Sequence, residues 1–258
     1  MSNSEFRIEC SKEVALQGDD QKLLNLTADW MTRASSLKYS YHFDWLGRPI
    51  IQFPQDMAAI QELIWSIKPD LIIETGIAHG GSLIFSASML ALLDLCDGIE
   101  GGVTLCPSES KRKVLGVDID IRSHNRAAIE AHPMASRIEM IQGSSIANET
   151  VAQVKRVAEG YETVLLFLDS NHTHDHVFAE LEAYADLVSV GSYCVVFDTR
   201  IEDLPADMFP GRPWGIGDNP KTAVWKYLKD HPEFVVDKHI DNKLLISVAP
   251  DGYLKRVF

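Results

Sequence analysis

The chain has 258 residues, 46% of them hydrophobic and 24% charged, which is enough to close a sizeable core in one large globular domain or in one domain with an added cap. Its 24 basic and 37 acidic residues leave a formal net charge of -13. A surface that acidic repels a phosphate backbone, so no nucleic-acid partner is expected. The four cysteines, Cys10, Cys96, Cys106 and Cys194, form no CxxC pair, which argues against a zinc knuckle. Cys194 stands in an apolar run and is expected to be a buried thiol. The opening MSNSEFRIEC has neither a basic start nor an apolar run. No apolar stretch reaches the ~18 residues of a membrane span. A cytoplasmic protein with no transmembrane segment is the expectation.

In chain order, residues 1 to about 40 are polar, with one amphipathic helix expected in DDQKLLNLTADWMTRAS. YHFDWLGRPIIQFPQDM then mixes aromatics, a Gly-Arg-Pro turn and short β-prone pieces, and reads as an N-terminal arm or cap over residues 1–53. PQDMAAIQELIWSIKP is a helix, with Pro54 at its start and Pro69 stopping it, and it opens a main domain over 54–258. From there strand and helix alternate. The expected strands are DLIIETG, KVLGVDID, IEMIQGSS, TVLLFLDS and GSYCVVFDT, each followed by a helical pattern. FVVDKHI and LLISVAPDGYLKRVF look like a closing pair. Apolar strands alternating with helices predict an α/β fold: a doubly wound, mostly parallel sheet with helices on both faces. Ligands in such sheets bind at the carboxyl ends of the strands. The Gly-rich segment 97–113 interrupts the pattern and reads as a surface excursion, or else as a lid or subunit contact.

The strand ends carry the chemistry. DLIIETG runs into ETGIAHGGS, where Gly76, Gly80 and Gly81 permit a tight turn and Ser82 is expected to cap the next helix. A dinucleotide site would want G-x-G-x-x-G and an acid about 20 residues on. Here position 78 is Ala78 and the next strand-end acid is the distant Asp118. No Lys-Ser/Thr follows the glycines, so this is no P-loop. A carboxylate in the turn, Glu74, disfavours a pyrophosphate and suits a ligand with an amino group. S-adenosylmethionine, with its ammonium and sulfonium and no phosphates, fits. Asp118 then accepts from the ribose hydroxyls. Ser144 and Ser145 end the third strand where an adenine edge would lie.

The fourth strand delivers LDSNHTHDHV and the fifth ends VVFDT, so Asp169 and Asp198 stand on adjacent strand ends. Two carboxylates that close need neutralising. A divalent cation with oxygen ligands does so; a helix cap or a Lys or Arg partner is the alternative. His172 is suited to act as a general base or a substrate contact. His174 and His176 are expected to be ordinary helix-start residues.

With these residues the chain resembles the cephalosporin hydroxylase family, also labelled rhamnosyl O-methyltransferase, from roughly residue 40 to 258. ETGIAHGGS, GVDIDIR, LDSNHTHDHV, ELEAYADLVSVGSY, VVFDT and RPWGIGDNPKTAVWKYL carry the resemblance. It implies a Rossmann-like class I methyltransferase using S-adenosylmethionine and often magnesium, acting on sugar hydroxyls of glycolipids, polysaccharides or natural products. Glu74, Gly76 and Asp118 then match cofactor positions, alongside Gly80 and Ser82 of the same turn. Asp169 and Asp198 match metal positions. One departure is visible: where metal-dependent relatives often carry Glu-Asp, this chain has Phe197-Asp198.

In that reading the acceptor's proton passes to His172, or to Asp169 without metal. Arg212 and Trp214 of RPWGIGDNP either close over a saccharide acceptor or merely belong to a crossover capped by Asn219 and Pro220. Tyr41, Phe43 and Trp45 either line the same pocket or seal the core. A homo-oligomer is expected. Three rivals remain: a metallohydrolase built on HTHDH, which is one residue short of H-x-H-x-D-H; an iron oxygenase; and a non-catalytic module that keeps the fold.

Overall fold

The computed structural model describes residues 2–106 and 109–258. Part of the 97–113 excursion, residues 107 and 108, thus lies outside the described residues, and 97–101 prolong a helix instead.

Seven strands form one sheet: β3 (Leu71–Thr75), β4 (Lys113–Asp118), β5 (Ile138–Gln142), β6 (Val164–Leu168), β7 (Tyr193–Val196), β8 (Phe234–Val236) and β9 (Tyr253–Arg256). Their order is β5-β4-β3-β6-β7-β9-β8. The first five are mutually parallel, and β9 runs antiparallel to both its neighbours. Leu71–Thr75 and Val164–Leu168 are buried along their whole length, as expected of central strands covered on both faces. Chain order reverses between β3 and β6, so the crevice outside their carboxyl ends is the place for a ligand.

Two hydrophobic layers sandwich the sheet. On one face α3 (Pro54–Ile67) and α4 (Gly81–Gly101) bury Ile60, Ile64, Leu83 and Leu90 against Ile72, Val114, Leu165 and Val195. On the other, α6 (Asn148–Ala158), α7 (His174–Tyr184) and α8 (Pro220–Tyr227) bury Val154, Leu181 and Val224 against Ile73, Leu115, Leu166 and Cys194. The Cys194 thiol is fully buried, as its apolar run implies. Helix α4 is long and apolar enough to cross a bilayer by composition, contrary to the expectation that no stretch is. However, 56% of its most apolar window is buried in the fold, which makes it a core helix.

Two helices escaped the sequence pattern. α1 (Asn3–Asp19) has no buried residue, so no apolar stripe marks it; a capping box between Ser2 and Glu5 starts it. α9 (Lys238–Leu244) begins directly after β8, where a strand had been expected to continue. Asp237 caps it by accepting from the His239 amide, and Gln17 of α1 donates to the Asn242 carbonyl at 3.0 Å. The helix expected within the arm is α2 (Gln21–Ser36). The arm itself forms a small hairpin of β1 (Phe43–Trp45) and β2 (Arg48–Ile50). α5 (Ser123–Glu130) completes the element set that flanks the sheet.

Candidate active site

A cavity of about 500 Å³ opens at the carboxyl ends of β3, β4, β6 and β7, a size suited to a cofactor with a small acceptor. Gly76, Ser82, Asp118, Asp169, His172, Asp198, Tyr41, Arg212 and Trp214 all line it, so one space gathers most of the residues singled out from the strand ends and the arm.

The β3 turn is fixed by glycine. Gly76 has φ +91°, and a Cβ there would stand 2.1 Å from the Asp169 carbonyl oxygen. Gly80, at φ +82°, occupies the N-cap of α4 and lies behind the cavity wall rather than on it. The expected helix cap by Ser82 is not formed. The Ser82 hydroxyl donates instead to Glu74 Oε1, because Glu74 points inward and needs the donor. Glu74 faces a narrow space behind the main cavity, and its Oε2 is buried without a partner. Burial pushes its carboxyl up to about 8 against the single opposing Ser82 hydrogen bond, so it is protonated at neutral pH.

Asp118, at the end of β4, receives the amides of Ile77 (2.8 Å) and Ala78 (3.3 Å) on Oδ2 and that of Asp120 (2.9 Å) on Oδ1. These bonds lock the carboxylate beside the turn. A carboxylate has about four lone-pair sites, and with three taken one remains, on Oδ1, for a ribose hydroxyl. Ser144 and Ser145 differ from expectation: neither lines the cavity. The segment turns under the sheet edge, where the Ser145 hydroxyl meets His176 Nε2 at 3.0 Å and its carbonyl accepts from Tyr184. An adenine contact would have to come from elsewhere on the wall.

At the β6 and β7 ends, ligand atoms of Asp169, His172 and Asp198 all lie within 4.8 Å of one another. His172 Nε2 is 3.1 Å from Asp198 Oδ2. Asp198 has φ +55°, a left-handed conformation that aspartate tolerates better than most residues and that turns its carboxylate back toward β6. Asp169 opens onto the cavity but is otherwise enclosed. Burial, then the Asp198 charge, holds its carboxyl well above the usual carboxylate range. Two carboxylates and an imidazole converging in this way fit a divalent cation, with one carboxylate fewer than a Glu-Asp end would give. Phe197 instead packs on Phe167, centroids 6.0 Å apart.

His172 reaches the site from the loop before α7. Its ring meets Trp214 edge-on at 6.0 Å. Trp214 also contacts Phe209 and has the Arg212 guanidinium over its ring. The crossover is pinned as well: Asn219 caps α8 in a capping box, and Asp218 accepts from the His174 amide at 2.7 Å. The loop is therefore both a structural crossover and a cavity wall. His174 and His176 stay out of the cavity; His174 bonds Thr222, and His176 lies 3.6 Å from Glu180. A three-histidine cluster of the HTHDH type does not form, which removes the geometric basis of a metallohydrolase. In the arm, Tyr41 lines the cavity, whereas Trp45 packs on Phe85 and donates to Ser88, sealing the core.

Two wall residues had not been picked out from sequence. Gln52 Nε2 donates to Asp169 Oδ2 at 3.2 Å, leaving its own Oε1 unpartnered. Its signal was available: a lone amide inside the apolar IIQFP run. Arg200 follows Asp198 and carried no motif.

Residues 37–257 match the family model described as Rhamnosyl O-methyltransferase/CmcI. A "Rhamnosyl O-methyltransferase" of Mycobacterium bovis is 30% identical over 206 residues, covering 78% of this chain and 73% of its own length. The protein of the same description from Mycobacterium leprae is 27% identical, with 82% of each chain covered. Among solved structures, CmcI with magnesium and S-adenosylmethionine superposes at a TM-score of 0.51 with 19% identity, covering 84% of this chain and 78% of that one. At that identity the last likeness is one of fold: the Rossmann-like class I methyltransferase sheet.

Proposed function

The chain belongs to the rhamnosyl O-methyltransferase/CmcI family of S-adenosylmethionine-dependent O-methyltransferases, and from that premise we propose that its cavity carries a methyl group to a sugar hydroxyl of a glycolipid, polysaccharide or natural product. The observation that carries this reading is the convergence of Asp118, the Gly76 turn and the Asp169-His172-Asp198 group on one cavity. Bound there, S-adenosylmethionine supplies an electrophilic methyl group, and a divalent cation such as magnesium supplies Lewis acidity.

The chain's own residues do the rest. Asp118 holds the ribose end, and the Gly76 turn lets backbone approach the cofactor closely. Asp169 and Asp198 hold the cation. His172 takes the proton of the acceptor hydroxyl, and the Asp198 carboxylate, with Oδ2 3.1 Å from the ring, favours the charged imidazolium that results. Gln52 fixes the Asp169 carboxylate by its 3.2 Å donation. Trp214 and Tyr41 offer aromatic surface to a saccharide ring, and the arm over residues 1–53 forms the acceptor end of the cavity. Aligning an acceptor oxygen in line with a methyl group is a substantial source of rate in such a transfer. The iron-oxygenase rival gives no role to Asp118 or the Gly76 turn.

The proposal includes a cytoplasmic homo-oligomer. Exposed Leu92, Leu95 and Ile99 near the end of α4 offer apolar surface to a second copy, and sedimentation velocity checks this. The function itself is tested by calorimetry with S-adenosylmethionine, with and without magnesium or EDTA. Absence of binding at millimolar ligand sinks the reading; binding indifferent to EDTA removes only the cation. Turnover on no acceptor would favour a binding module.

A further inference from the structure

Three cations line the cavity: Lys38, Arg200 and Arg212. Lys38 and Arg212 are exposed. Arg200 is not: its side chain is 14% exposed, and its Nε and Nη2 are buried without a hydrogen-bond partner. Among the described residues, the one carboxylate within 4 Å is Asp203, whose Oδ2 lies 3.9 Å from Nη1, beyond hydrogen bonding. Asp203 is already engaged by Lys221 Nζ at 2.8 Å. A guanidinium cannot shed its charge, so an unmatched one held under protein is costly unless a ligand completes it.

The unpartnered atoms are informative. Nε and Nη2 form one edge of the guanidinium, the edge that presents two parallel N–H groups to two oxygens of a carboxylate or phosphate. The backbone beneath is anchored: the Arg200 amide donates to the Val248 carbonyl at 3.1 Å, and Thr199 Oγ1 donates to the Pro250 carbonyl at 2.7 Å. Arg200 therefore rides on the same short 3-10 turn, Thr199–Asp203, that follows Asp198.

We propose that Arg200 is a specificity-determining residue for the acceptor, and that the acceptor bears an anionic oxygen group, a carboxylate or a phosphate, which the guanidinium draws to its stretch of the cavity wall while the acceptor hydroxyl faces His172. This rests on the cavity being the methyl-transfer site. It divides the labour in one pocket: carboxylates at the β6 and β7 ends serve the reacting hydroxyl, and a fixed guanidinium reads the acceptor's charge. A neutral deoxysugar leaves the guanidinium unmatched, whereas a uronic acid or a sugar phosphate completes it.

The test titrates the full-length protein, alone and saturated with S-adenosylhomocysteine, with three probes read by calorimetry: a methyl hexuronide, a hexose phosphate and the matched neutral methyl hexoside. At least one anionic probe should bind tenfold or more tighter than the neutral one, and added salt should shrink the gap. Which anion wins separates the carboxylate from the phosphate source. Arg200→Gln should erase the gap with unchanged S-adenosylhomocysteine affinity, and Arg200→Lys should restore only part of it, because an ammonium lacks the paired donors. If Arg200→Gln does not fold, Arg200→Lys and the salt dependence of the native protein decide. Equal binding of neutral and anionic probes, no anionic binding at millimolar concentration, or an undiminished gap in either variant overturns the inference. Failure of S-adenosylhomocysteine to bind the native protein strikes the methyltransferase reading instead, and the anion preference is still read on the protein alone.

Discussion

Gly76 and Asp169 meet across the carboxyl ends of β3 and β6: a Cβ on Gly76 would come within 2.1 Å of the Asp169 carbonyl oxygen. That carbonyl belongs to the residue whose carboxylate enters the proposed cation site, so the cofactor turn and the chemistry share one backbone contact. Gly76→Ala adds both the clash and the strain of φ +91°. It should destabilise the fold by roughly 2–4 kcal/mol and abolish cofactor binding, read by thermal melting and calorimetry. A variant that melts and binds like the native protein would show the contact to be loose.

Glu74 makes stability depend on pH with a defined sign. Its folded carboxyl is raised from 4.5 to about 8, so the proton it keeps favours the folded state fully below 4.5, and that advantage is lost as pH rises through 8. Glu74→Gln keeps a neutral polar side chain beside Ser82 and removes the titration. Melting curves of the two proteins should agree near pH 4.5 and separate as pH rises, with the variant ahead by on the order of 1–3 kcal/mol at pH 8. A gap that stays flat across this window contradicts the assignment.

Asp118 and His172 should separate binding from rate. Asp118→Ala removes the ribose acceptor and loses cofactor affinity. His172→Ala should leave that affinity within about twofold and lower turnover by roughly 10²–10⁴, the usual range for a general base. Equal losses of binding in both variants would contradict the division of roles.

The cation site should respond to its missing carboxylate. Asp198→Asn should weaken magnesium or manganese binding measured by calorimetry. Phe197→Glu should strengthen it while lowering the melting temperature, since the Phe167 contact and a buried aromatic face are lost. Unchanged metal affinity in both variants would place the cation elsewhere or nowhere.

The sequence alone determined the strand and helix alternation, and with it which residues stand at strand ends. Apolar runs such as LIIET and VLLFL can be satisfied only inside a sheet covered on both faces, so Asp118, Asp169 and Asp198 follow as neighbours at one edge. α1 left no trace in the pattern because it buries nothing, and α9 was decided by the local Asp237 cap together with contact with α1, of which the second is a tertiary fact. Tertiary structure also chose the partners of polar groups. Ser82 serves Glu74 rather than a helix end, Ser145 turns away from the cavity, and Gln52 arrives from the arm to hold Asp169. A buried polar side chain takes whichever donor or acceptor the packing brings within about 3 Å, and no local spacing encodes that choice. The same holds for the run LDSNHTHDHV. Its place just after a strand end set His172 apart from His174 and His176, but their partners are tertiary: His172, held outside the helix, lines the shared pocket with Asp169, while His174 and His176 are tied to Thr222, Ser145 and Glu180 by the packing of α7.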